Sequence, residues 1–205
     1  MATIVVPFRS PDAKRRLAPL SAEARADLAH AMLADVLAAC VPVGRTLVVT
    51  APDGARARAV AAAAGAEVLD DPGRGLADAV AVGLRAVTDG PALVVNADLP
   101  CARPADVLAL LGLLPPGGLA LVEAPDGTTN ALALASPRLW EPLYGPGSAA
   151  RFARHAEGIG VPWMAAPLPD LVDDVDTLAD AELLADRLGP HSAAVLAALR
   201  AIAAA

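Results

Sequence analysis

Short apolar runs rich in β-branched residues recur along this chain, each followed by a longer stretch with apolar residues at helical spacing, and that alternation narrows the folds open to it more than any other feature. Residues 2–7 (ATIVVP), 45–50 (RTLVVT) and 91–97 (PALVVNA) are continuous apolar runs bounded by polar or turn sequence, the pattern of strands buried on both faces. Between them, residues 20–39 carry Leu28, Met32, Leu33, Val36 and Leu37 along a helical stripe that follows Ser21, a good N-cap residue. Residues 54–64 are an alanine-rich helix, and 76–87 form another after the Gly73-Arg74-Gly75 turn. Strands at 66–69, 119–123 and 130–135, and helices at 104–114, 148–158, 177–188 and 191–204, continue the series; the strand at 130–135 reads as antiparallel because its connection is short and turn-rich. Units of this kind fold as an α/β, three-layer, mostly parallel sheet with helices on both faces.

A chain of 205 residues has room for one such domain, spanning 1–205 with a terminal helix at about 191–204. Hydrophobic residues make up 56% of it but aromatics only 2%, so the core must be built from Leu, Val and Ala on closely packed elements. There is no uncharged apolar run of about 18 residues, and residues 3–8 are too short for a signal peptide's apolar region before Arg9 and Lys14 intervene, so a cytoplasmic protein without membrane contact is expected. A net charge of −7 and a pI near 4.8 argue against a nucleic-acid binder. Cys40 and Cys101 have neither disulfide nor zinc spacing and read as reduced, buried side chains. His30, His155 and His191 are scattered in helical contexts, and nothing marks a nucleophile elbow.

The charge is unevenly spread. Arg9, Lys14, Arg15, Arg16 and Arg25 face only Asp12 and Glu23 in the first 25 residues, whereas 170–187 holds seven acids and one base. An anion site early and a cation site late would look like this, as would solvated helix faces. Ligands of open α/β sheets bind beyond the carboxyl ends of the strands, so the residues there carry the functional argument. After the first strand comes a basic loop, residues 7–17, holding Lys14, the chain's single lysine and a compact charge suited to phosphate. After 91–97 comes Asp98, placed either to hold a divalent cation or to cap a turn. Asp174 and Asp176 are two residues apart, so in extended backbone their carboxylates point the same way; Asp176 or Thr177 could equally cap the following helix. Tyr144-Gly145-Pro146-Gly147-Ser148 leads into a helix and would offer N–H groups to an anion, or be an ordinary turn with Ser148 as N-cap.

Together these segments resemble the guanylyltransferases of coenzyme F-420 biosynthesis that act on 2-phospho-L-lactate or phosphoenolpyruvate. The resemblance rests on VPFRSPDAKRRL (6–17), ADLP (97–100), TNAL (129–132), YGPGS (144–148) and DVDT (174–177), in the family's order. It implies a glycosyltransferase-A-like nucleotidyltransferase fold using GTP and Mg2+, with a small phosphorylated carboxylic acid as second substrate. By position it implies Pro7, Arg9, Lys14, Arg16 and Gly75 for the nucleotide, Lys14 and Asp98 as catalytic residues, Asp98, Asp174 and Asp176 for the metal, and Thr129, Gly145 and Ser148 for the acceptor. The chain departs from the family pattern at Arg9, Arg15, Ala77, Thr128 and Phe152. Phosphoenolpyruvate is the expected acceptor, with homo-oligomerisation or association with the next pathway enzyme as further expectations. Guanylyl transfer to molybdopterin, cytidylyl transfer to a sugar phosphate, and a non-catalytic nucleotide-binding module are the rival readings.

Overall fold

The computed structural model describes residues 2–9, 17 and 20–204. Its strands are β1 (Thr3–Phe8), β2 (Arg45–Thr50), β3 (Glu67–Asp70), β4 (Ala92–Val95), β5 (Leu119–Glu123), β6 (Thr129–Leu134) and β7 (Trp163–Ala165), forming one sheet in the order β3-β2-β1-β4-β6-β5-β7. β1, β2, β3 and β4 run parallel to one another, as does the pair β5 and β7, while β6 is antiparallel to both neighbours. The expected mostly parallel α/β sheet is therefore observed, including the reversed strand. The described helices are α1 (Ala22–Cys40), α2 (Ala55–Ala64), α3 (Leu76–Arg85), α4 (Pro104–Gly112), α5 (Ser148–Gly158), α6 (Pro169–Val172), α7 (Leu178–Leu183) and α8 (Pro190–Ala203).

Side-chain alternation in the strands feeds two cores, one on each face of the sheet. Ile4, Val6 and Phe8 of β1, with Leu93 and Val95 of β4, pack under α1, α2, α4 and α8. Val5, Val94, Leu132 and Leu134 point to the opposite face and pack under α3 and α5. Layers this thin need small residues at close approaches: at Gly83 of α3 a Cβ would stand 2.3 Å from Val5 Cγ1. Ser21 caps α1 as expected, accepting the Ala24 N–H at 3.1 Å. The partner of α8, which the sequence does not name, is α1. Buried Asp35 of α1 accepts the N–H groups of His191 at 3.0 Å and Ser192 at 2.8 Å, capping α8 from a distant part of the chain.

Two expectations are corrected. The helix at 177–188 ends at Leu183, because the chain beyond it turns so that Arg187 can reach Asp170 and Asp173 and the Gly189 N–H can meet the Pro100 carbonyl at 2.7 Å. Ser148 is the first residue of α5 and fully buried, and Gly147, in the left-handed region at φ 68°, holds the N-cap position. β7 and α6 were not anticipated. No helix of the described residues is long and apolar enough to cross a membrane.

Candidate active site

The carboxyl ends of β1 and β4 and the amino end of β6 lie at one edge of the sheet, because β6 runs backwards beside β4 with Val95 opposite Ala131. A cavity of about 510 Å3 opens there. Pro7, Phe8 and Arg9 leave β1 along one side, joined by Ala29 and Met32 of α1 and by Leu76 at the start of α3. Asn96, Ala97 and Asp98 continue from β4, while Thr129 and Ser148, with Tyr144 and Gly145, form the other side. Leu76, next to Gly75, is the lining residue at that point. Lys14 and Arg16 lie outside the described residues.

Asp98, Asp174 and Asp176 converge in this cavity: one carboxylate oxygen from each lies within 4.8 Å of the others, all three half-buried. Two hydrogen bonds bring a late segment of chain to the end of β4. The Val175 N–H donates to the Asp98 carbonyl at 3.0 Å, and the buried Asn130 side chain donates from Nδ2 to the Val172 carbonyl at 2.8 Å. Thr177 caps α7, its hydroxyl accepting the Asp180 N–H at 3.2 Å while the Asp180 carboxylate accepts the N–H groups of Thr177 and Asp176 at 2.7 and 3.1 Å. With Thr177 and Asp180 forming the cap, the Asp176 carboxylate does not serve as one and is turned to the cavity instead. Arg187 binds Asp170 at 2.8 Å and Asp173 at 2.6 Å, so the two acids before the converging pair are neutralised by a guanidinium. Oxygen-only donors at this spacing suit a hard divalent cation.

On the opposite side, Thr129 Oγ1 and Ser148 Oγ lie 3.0 Å apart, both essentially inaccessible to bulk water. One hydroxyl donates to the other, which leaves the pair one O–H to offer an anion. The start of α5 offers less than a free helix end would, since the Ser148 N–H already donates to the Gly145 carbonyl at 3.0 Å and the Ala149 N–H to the Gly127 carbonyl at 3.3 Å. The Tyr144 ring packs edge-on against Phe152 at 5.4 Å, and burial pushes its phenol well above the ordinary range, so it stays neutral. Asp126 Oδ1 holds the Thr128 N–H at 2.9 Å and its hydroxyl at 2.6 Å, fixing the turn before β6.

Every predicted site residue that is described either lines this cavity or adjoins a residue that does. Sequence reasoning missed the roles of Asn130 and Arg187, whose side chains act across contacts far apart in the chain. A signal for Asn130 was present, since a polar amide inside an apolar strand must find a partner when buried.

The model for guanylyl transferases of the CofC-like kind matches residues 2–163. Phosphoenolpyruvate guanylyltransferase of Geodermatophilus obscurus is 36% identical over 204 residues, covering 95% of this chain and 93% of its own. The protein of that name from Sphaerobacter thermophilus is 37% identical over 195 residues, covering 90% and 93%. Among solved structures, one from Desulfovibrio desulfuricans G20 assigned as a nucleotide-diphospho-sugar transferase superposes with a TM-score of 0.79 at 16% identity, covering 98% of this chain and 95% of that one. A fold shared with sugar-nucleotide enzymes and a sequence shared along most of its length with guanylyl transferases lead to one assignment: this chain belongs to the CofC-like guanylyl transferase family.

Proposed function

We propose that this protein transfers GMP from GTP to the phosphate of phosphoenolpyruvate, releasing pyrophosphate, as the F-420 pathway resemblance implies. The observation that carries the reading is the pairing, across one cavity, of three convergent carboxylates with a buried hydroxyl pair. The first suits a metal-bound triphosphate and the second a small anion. The names of the relatives favour phosphoenolpyruvate over the molybdopterin, cytidylyl and non-catalytic alternatives.

The chemistry asks little covalent work of the protein. The acceptor phosphate is ionised at neutral pH, so one of its oxygens bonds to the α-phosphorus of GTP as the bond from that phosphorus to the bridging oxygen of the β-phosphate breaks. Pyrophosphate departs with the electron pair, and neither a protein nucleophile nor a general base is required. Asp98, Asp174 and Asp176 would hold Mg2+, which when bound offsets the charge on the phosphates. The positive charge of Arg9, Lys14 and Arg16 would steady the triphosphate and the departing pyrophosphate. The Thr129–Ser148 pair and the Gly145 turn would orient the acceptor, and Gly75 would border the nucleotide. Alignment of the two anions and stabilisation of the charge on the phosphates are what such a site would supply.

The test is pyrophosphate release by the purified protein with GTP and Mg2+, comparing phosphoenolpyruvate, 2-phospho-L-lactate and 3-phosphoglycerate, with CTP as nucleotide control and Asp98→Asn as the variant. Release with GTP and phosphoenolpyruvate that falls by about a hundredfold or more in the variant is expected. Folded protein that releases no pyrophosphate with any of the three acceptors would overturn the proposal.

A further inference from the structure

Arg151 lies on α5, three residues after Ser148, and its guanidinium turns back over the start of its own helix. Nε and Nη2 both donate to the Leu143 carbonyl, at 3.0 and 2.6 Å, and Nη1 donates to the Pro146 carbonyl at 2.7 Å. One rigid planar group thus ties together the two sides of the turn that carries Gly145. Gly145 sits at φ 115°, and a Cβ there would stand 3.5 Å from Arg151 Nη2, so the guanidinium is seated against the glycine itself.

Carbonyl oxygens are the negative ends of peptide dipoles, and two of them facing a site for a phosphate and a carboxylate would repel the ligand. Arg151 draws both onto itself. Resting on the reading proposed above, we infer that Arg151 is a positioning residue for the acceptor: it holds the Leu143 and Pro146 carbonyls so that the Gly145 turn presents an anion-tolerant face beside Ser148. It acts on the acceptor and not on GTP, because the nucleotide side of the cavity is built from β1, α1 and the start of α3, none of which it binds.

The experiment compares wild type, Arg151→Ala, Arg151→Lys and, as a control on the exposed face of the same helix, Arg154→Ala. In pyrophosphate release, Arg151→Ala should raise KM for phosphoenolpyruvate by about tenfold to a hundredfold, the range expected for losing a charged fork, while KM for GTP changes by less than about twofold. Lysine, lacking the fork, should recover only part of the loss, millimolar guanidinium should restore some of the activity of the alanine variant, and Arg154→Ala should behave as wild type. Hydrogen exchange over residues 143–150, measured without substrates, should quicken in Arg151→Ala and not in Arg154→Ala. Equal changes in both KM values, or unchanged exchange over the turn, would overturn the inference. If wild type turns over no acceptor at all, the proposed reaction fails by itself, and the exchange measurement still decides whether Arg151 holds the turn.

Discussion

Asp35 is the residue whose removal gives the most calculable effect. It sits on α1, 2% exposed, and each of its carboxylate oxygens accepts one N–H from the first turn of α8, from His191 at 3.0 Å and Ser192 at 2.8 Å. The helix has no side-chain cap of its own: Gly189 stands at the N-cap, and Pro190 begins the first turn without an N–H to satisfy. Gly189 is itself required, since a Cβ there would be 2.3 Å from Asp35 Cγ. A hydrogen bond to a charged group is worth about 1.5–3 kcal/mol, and truncation leaves two N–H groups near the helix start without acceptors, so Asp35→Ala should cost about 3–5 kcal/mol. Asp35→Asn keeps one acceptor and turns an NH2 toward the other N–H, which should cost about 2 kcal/mol. Against a typical total stability of about 5–15 kcal/mol, the alanine variant would be close to partial unfolding at 37 °C. Urea unfolding followed by far-ultraviolet circular dichroism measures the difference, and early proteolytic cleavage near residue 190 would show that α8 detaches first. A cost below about 1 kcal/mol for Asp35→Ala would refute the capping argument.

Gly83→Ala should lower the melting temperature, because the rigid, buried Val5 cannot yield to the new methyl; about 1–3 kcal/mol of overpacking exceeds the helix-propensity gain of about 1 kcal/mol, and Val5→Ala in the same chain should recover most of the loss. A raised melting temperature in the single variant would contradict this. Thr129→Val removes one hydroxyl of the buried pair and should raise KM for phosphoenolpyruvate about tenfold or more with KM for GTP unchanged, read in the pyrophosphate assay. Burial pushes the Cys40 thiol up to about 12 and the Cys101 thiol to about 11, so the native protein should resist iodoacetamide at pH 8 and react only once unfolded; stoichiometric alkylation without unfolding would refute their burial. The folded state favours the neutral thiols, so the stability this contributes is complete below about pH 9 and should decline as pH rises toward 11 to 12, visible as a falling urea midpoint.

Most of the sheet was legible because its central strands carry continuous apolar runs: β2 and β5 have the bounds their sequences suggest, and β6 reads as reversed from the short turn before it. β7 was not legible. Its three residues, Trp163–Ala165, are all exposed and pair on one side only, and an apolar stretch this short beside Pro162 does not read as a strand. The acidic run at 170–187 shows where composition stops informing. Asp170 and Asp173 are paired with Arg187, Asp174 and Asp176 enter the cavity, Asp180 completes a helix cap, and Glu182 pairs with Arg200. Neighbours of the same charge thus do four different things, and only the path of the chain separates them. Arg151 was equally hidden, since its partners are main-chain carbonyls that any sequence would supply.

The reversed strand β6 sits at a seam. On one side of it, β1 to β4 carry the residues assigned to the nucleotide; on the other, the hairpin of β5 and β6, continued into α5, carries those assigned to the acceptor. β6 meets β4 through main-chain hydrogen bonds, with the small residues Ala131 and Ala133 on one face and Leu132 and Leu134 in the core on the other, so the hairpin is joined to the nucleotide half by packing that leaves only part of its length free to change. On the function proposed above, such a joint would let the acceptor side of the cavity be altered by substitution while the triphosphate side keeps its residues. It also marks residues 119–151 as the segment to transplant between relatives when the aim is to redirect the product, with Asn130 retained because its amide holds the Val172 carbonyl two residues before Asp174.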